Sequence, residues 1–248
     1  MYSDEIIGIL DTEPKGGKAL SAWTNFTHNL DWTQLLIYAL RVVAVLICIV
    51  FHEVCHGYAA YLMGDTTAKR MHRLSLNPLR HIDPFGALMM LTVGFGWAKP
   101  VPIDMRRFKH PKLGMAVTAL AGPASNFVLA YVALLLQAAL YAFYNVSSSV
   151  YLYYFLNFLT MLATLSIGLG IFNIIPFPPL DGSKVVGALL PNDLYYSVLR
   201  YERYGMFILM AVLWSGILDS YLSVALNWAW DVLFSASAWP YYLVTSLM

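Results

Sequence analysis

An all-α polytopic membrane protein is the fold class that this sequence predicts, and three observations carry it. Hydrophobic residues make up 59% of the chain and charged ones 12%, with a mean hydropathy of +0.62, where soluble domains run at roughly half apolar and a quarter charged. From Leu113 to Leu180, 68 residues pass without a charged side chain, room for two membrane spans at about 20 residues each. Nine of the fifteen Lys and Arg residues fall between Asp65 and Lys112, the clustering that the positive-inside rule assigns to a cytoplasmic segment. The expectation is about four to six transmembrane helices with one short re-entrant or interfacial β-hairpin.

Taken in order, residues 1–33 are polar and mildly acidic, broken by Pro14 and Gly16-Gly17, and read as a loosely structured N-terminal extension. No basic region followed by an apolar run opens the chain, so a cleavable signal peptide is not expected. The membrane-embedded part is expected over 34–248. Its first span runs from Gln34 to Met63, where Arg41 and Glu53 are the only charges, and ends at Gly64-Asp65. Pro84 to Ala98 is uncharged but short for a span and holds Gly86, Gly94 and Gly96, which places the hairpin there. Spans two and three lie between Leu113 and Leu180, joined at the polar turn Asn145–Ser149. A fourth is expected from Tyr204 to about Trp228. The tail 232–248 is apolar but short and contains Pro240, which leaves a further crossing open.

Two cysteines, Cys48 and Cys55, lie roughly 10 Å apart along one expected helix, too far for a disulfide, and read as reduced apolar side chains. The net charge of +1 gives nucleic-acid binding no support.

The first span carries His52-Glu53-x-x-His56. Four residues is just over one helical turn, so both imidazoles project from one face, separated by roughly 6 Å along the axis. Both can reach one tetrahedral zinc at about 2.0–2.1 Å, and Glu53 projects toward a metal-activated water. With 6 His in 248 residues, chance would produce the pattern in about two shuffled chains in a thousand. A single histidine here would more often be a satisfied buried side chain; the pair with Glu53, inside a membrane span where ionisable groups are costly, points to function.

A catalytic zinc needs a third protein ligand and an open position. The candidate is Asp181, in Asn173-Ile-Ile-Pro-Phe-Pro-Pro-Leu-Asp181-Gly182. Three prolines in four residues forbid a continuing helix at the end of the third span, and irregular backbone at membrane depth must be buried in protein or line a wet cavity. The alternating topology brings this end of the third span to the same side as His52 and His56. The competing reading makes Asp181 an N-cap for a helix starting near Lys184.

These residues resemble the site-2 protease class of intramembrane zinc metalloproteases, in the short bacterial form without a PDZ or CBS domain. The resemblance rests on His52-Glu53-x-x-His56, on Asn173 through Asp181-Gly182, and on Gly122-Pro123-Ala124-Ser125-Asn126; the stretches Leu76–Gly86 and Gly94–Pro102 look similar too. It covers about residues 40–190, the expected catalytic core. It implies one zinc ion per chain held by His52, His56 and Asp181, with Glu53 as general base and Asn173 holding the substrate carbonyl or stabilising the oxyanion. Gly122 and Asn126 match a small-x-x-x-Asn signature that close helix packing would equally explain. The Gly94–Trp97 hairpin and the extended Pro176–Leu180 segment are two edges on which an unwound substrate could add as a strand.

The implied reaction is hydrolysis of a peptide bond in or near a transmembrane helix of a membrane-protein substrate, which must first unwind locally. The implied location is a bacterial plasma membrane, with the site near the cytoplasmic side. Substrate selection then falls to the membrane part or to a partner, a regulatory protein or a homo-oligomer. Two rivals are a metal-binding or metal-transporting membrane protein, in which Glu53 would have no task, and an inactive scaffold that binds helices without cutting them.

Overall fold

The computed structural model describes residues 32–93 and 98–247. Contacts divide the chain into residues 1–40 and 41–248, and the site lies wholly in the second. In order, the helices are α1 (Trp32–Leu62), α2 (Thr67–Arg70), α3 (Pro84–Val93), α4 (Pro111–Ser147), α5 (Val150–Ile174), α6 (Asp181–Leu189), α7 (Asn192–Trp214), α8 (Asp219–Ser237) and α9 (Trp239–Leu247). Helices α1, α4 and α5 are each long and apolar enough to cross a membrane, and the count rises to four if α7 with α8–α9 is one bent span. Among the described residues there is no strand, which agrees with the all-α expectation.

The spans are helical because hydrocarbon offers backbone groups no other partner. Their ends follow from local chemistry. Gly64, at φ +109, turns the chain out of α1 through a conformation that a side chain would disfavour. Ser148 ends α4 in the left-handed region, and the prolines from Pro176 onward stop α5. The expected turn at 145–149 is therefore where the structure has it.

Three expectations need revising. The single fourth span at 204–228 is instead two helices bent by 88°, the break falling at Gly216, whose φ is +71. Helix α6 starts at Asp181 and not near Lys184, and its N-cap is Leu180, without a side-chain cap, so Asp181 is not the cap. In the expected hairpin, Pro84–Val93 is helical and residues 94–97 lie outside the described residues; the flanks meet in one isolated antiparallel bridge, Ile82 to Ala98. The N-terminal extension also lies outside the described residues up to residue 31.

The core sits where α1, α4 and α5 meet. It is built from Ala44, Cys48, Ala130, Ala133, Leu134, Leu159, Leu162, Ala163 and Ile167, joined by Ala229 of α8. So many small side chains let the helices come close, which supplies the van der Waals contact that drives association in lipid. Cys48 is a buried free thiol one turn before His52, with Sγ 3.7 Å from Leu162 O. Ala130 is one turn beyond Asn126. The tight three-helix contact therefore runs directly into the polar cluster.

Candidate metal centre

His52 and His56 project inward from α1, as the i, i+4 spacing requires. Both are buried, at 5% and 6% exposure, with their rings edge to face and centroids 4.5 Å apart. Asp181, on the first turn of α6, reaches them from 125 residues further along the chain. His52 Nε2 lies 3.1 Å and His56 Nε2 3.0 Å from Asp181 Oδ2, and the two nitrogens are 2.9 Å apart. This nearly equilateral triangle of two nitrogens and one oxygen is the one such grouping among the described residues. Donors on a tetrahedral zinc at 2.0–2.1 Å stand about 3.3 Å apart, so the triangle has the size of one face of that tetrahedron.

His56 also has the protonation that a cation needs. His56 Nδ1 lies 2.7 Å from Thr118 O; a carbonyl can only accept, so the Nδ1 proton points there and Nε2 keeps its lone pair for the triangle. Lys184 Nζ stands 3.4 Å from Asp181 Oδ1, leaving Oδ2 to the histidines. Three acceptors converging at 3 Å repel one another unless a proton or a cation lies between them. The residues fit a zinc ion.

Helix α4 makes room for the cluster. A methyl group on Gly122 would overlap His56 Cε1 and Nε2 and come within 2.7 Å of His52 Cε1. The next residue, Pro123, lies inside the helix and has no N–H to donate to the carbonyl of residue 119. Gly182 performs a similar task for Asp181, because a Cβ there would overlap Ile174 O at the end of α5. Asn126 is wholly buried, its Nδ2 is 3.1 Å from His52 Nδ1, and its backbone carbonyl accepts from Ser166 Oγ at 2.8 Å.

Glu53 is half-buried on the neighbouring face of α1 and stands outside the triangle. Its Oε2 accepts from Val101 N–H at 2.8 Å. Val101 belongs to an extended segment that is clamped at several points: Lys99 N–H donates to His81 O at 2.8 Å, and buried Arg73 donates to Lys99 O and Pro100 O at 2.8 and 3.2 Å. Further on, Asp104 N–H donates to Asp65 Oδ2 at 2.7 Å. Asp65 is itself fully buried and accepts from Thr67 N and Oγ1, so the end of α1 and this segment are tied together.

Of the residues singled out in the sequence, the structure brings together His52, His56, Asp181, Gly122 and Asn126. The amide of Asn173 donates to Leu169 O, 2.9 Å away in its own helix. Sequence reading missed Thr118, Val101, Arg73 and Asp65. Thr118 and Val101 act through backbone groups, which leave no residue signature. Arg73 is one of nine cations in its stretch, and nothing in a single sequence marks it as the buried one.

Known proteins resemble this chain over most of its length. The model of peptidase family M50 matches residues 40–215. "Putative zinc metalloprotease YwhC" of Bacillus subtilis (strain 168) is 37% identical over 181 residues, covering 73% of this chain and 82% of that protein. "Putative zinc metalloprotease Rip2" of Mycolicibacterium smegmatis (strain ATCC 700084 / mc(2)155) is 23% identical over 199 residues, 79% of this chain and 74% of the relative. No solved structure matches.

Proposed function

The chain belongs to peptidase family M50, and from that premise we propose that His52, His56 and Asp181 hold one catalytic zinc ion with Glu53 as its general base. The protein is an intramembrane zinc metalloprotease. The observation that carries the residue assignment is the donor triangle, with sides of 2.9, 3.0 and 3.1 Å.

Bound there, zinc supplies a Lewis acid that makes water acidic near neutral pH and polarises a carbonyl. His56 is locked in the right tautomer by Thr118 O. Glu53, one residue from a ligand yet outside the donor set, accepts the proton of the attacking water and returns it to the leaving amine. Its bond to Val101 N–H keeps the carboxylate in one orientation without consuming both oxygens. Asn173 serves the substrate carbonyl, which requires its amide to leave Leu169 O when substrate binds.

The substrate is a transmembrane-helix protein, unwound near the scissile bond and admitted from the lipid bilayer. The site faces the cytoplasmic side of a bacterial plasma membrane, a reading supported by the nine Lys and Arg between Asp65 and Lys112, which follow directly on the His56 end of α1. The test is zinc content and cleavage of a single-span substrate by detergent-purified protein. Glu53→Gln should keep near-stoichiometric zinc and cut nothing, and Asp181→Ala should lose both. Zinc flux into vesicles that survives Glu53→Gln, without cleavage by wild type, would favour transport instead.

A further inference from the structure

Asn126 presents a mismatch of donors and acceptors. Its side chain is wholly buried, its Nδ2 faces His52 Nδ1 at 3.1 Å, and its Oδ1 has no partner. In that orientation the amide N–H claims the lone pair of Nδ1. A neutral His52 then carries its proton on Nε2, the atom aimed at His56 Nε2 and Asp181 Oδ2. A histidine so protonated cannot be a ligand, and a buried amide oxygen is left stranded.

One change removes both defects. The oxygen and nitrogen of an amide are nearly equal in size, so half a turn of the terminal torsion fits the same space. Oδ1 then accepts the Nδ1 proton of His52, and Nε2 turns its lone pair toward the triangle. We propose that Asn126 is a positioning residue for the metal centre, holding His52 through an Nδ1–H···Oδ1 bond so that Nε2 is free to bind zinc. His52 and His56 thereby receive equivalent supports from α4, eight residues apart: a side-chain oxygen for one and the Thr118 carbonyl for the other. Ser166 Oγ, bonded to the Asn126 carbonyl at 2.8 Å, anchors that turn of α4 to α5.

This inference rests on the reading of His52 as a zinc ligand, and the test separates the two. Full-length protein in detergent is titrated against a chromophoric zinc chelator, with no substrate present. The wild type is compared with His52→Ala, Asn126→Leu, Asn126→Ala and Asn126→Asp. Leucine keeps the shape of asparagine without an acceptor, alanine is a second acceptor-free variant, and aspartate offers acceptors only. The expected result is a zinc affinity about 10–100-fold lower in the Leu and Ala variants, with Asn126→Asp close to wild type. A merely structural asparagine would give the opposite order, since buried leucine would be tolerated better than a buried carboxylate. If His52→Ala loses zinc while Asn126→Leu or Asn126→Ala holds it as tightly as wild type, or if Asn126→Asp is no better than either, the role of Asn126 is overturned and the ligand set stands. If His52→Ala binds as wild type does, the ligand reading fails and takes this inference with it.

Discussion

Gly122 presents its bare α carbon to the His56 imidazole, so that a methyl group there would overlap the ring at Nε2. Mid-helix alanine is normally favoured over glycine by roughly 0.5–1 kcal/mol, and a residue serving only general helix contact would show that preference. Here the substitution must displace the His56 ring. Gly122→Ala should therefore purify with little zinc and no proteolysis, as measured by metal analysis and substrate cleavage. Wild-type zinc content in that variant would show that the cluster has slack that its geometry does not suggest.

Arg73 acts on Glu53, the proposed general base, at two removes. It holds the Lys99 and Pro100 carbonyls, and the next backbone N–H binds Glu53. Misplacing a reacting group by about 1 Å can cost 100-fold in rate, whereas removing a general base costs about 100- to 10,000-fold. Arg73→Ala should lower kcat by about 10- to 100-fold with zinc content unchanged. Loss of zinc in parallel with activity would instead mean that Arg73 supports the fold of the whole site.

Asp65 lies outside the membrane spans, and its pKa can be read against stability. Burial raises it, but hydrogen bonds from Thr67 and the Asp104 N–H, then the charge of Arg107, outweigh that and leave it lowered. A carboxylate whose folded pKa is depressed contributes stability that is present above its unfolded value, near pH 4, and is lost as pH falls through the folded value. Thermal unfolding in detergent should thus steepen in its pH dependence below about pH 4. Asp65→Asn should flatten that dependence and cost roughly 1–3 kcal/mol at neutral pH. A variant that is as stable as wild type, with the same acid sensitivity, would remove Asp65 from the account.

On the proposed assignment of zinc to His52, His56 and Asp181, stripping the metal should destabilise the protein by mass action, because the unfolded chain offers no preformed site. Excess chelator is expected to lower the Tm, added zinc to restore it, and Asp181→Ala to abolish both responses. A chelator-insensitive Tm in wild type would argue that the three side chains are held by something other than a cation.

Several features were legible from residue order. The i, i+4 histidines with Glu53 between them fix a helical face, because rise and twist per residue are constant. The prolines at 176, 178 and 179 stop α5 where the chain must become irregular. Apolar length located α1, α4 and α5, since only a helix satisfies its backbone in hydrocarbon. The bend at Gly216 is not legible in the sequence because the apolar residues on either side of Ser215-Gly216 together have the length of one span. The competing reading of Asp181 as a cap fails because the helix already begins at that residue, although Asp-Gly-Ser also reads as a helix start.

Membrane insertion, the paired imidazoles of α1 and their adjacent carboxylate belong to the sequence alone, because each depends on neighbours within one or two turns. Packing settles the rest. Asp181 meets His52 and His56 only because small residues let three helices close together, and Gly122 matters only because a ring from another helix needs its space. Thr118 O and Val101 N–H orient His56 and Glu53 from backbone groups that nearly any residue would supply. Such groups have no letter in the sequence, and their direction exists only once the chain has folded.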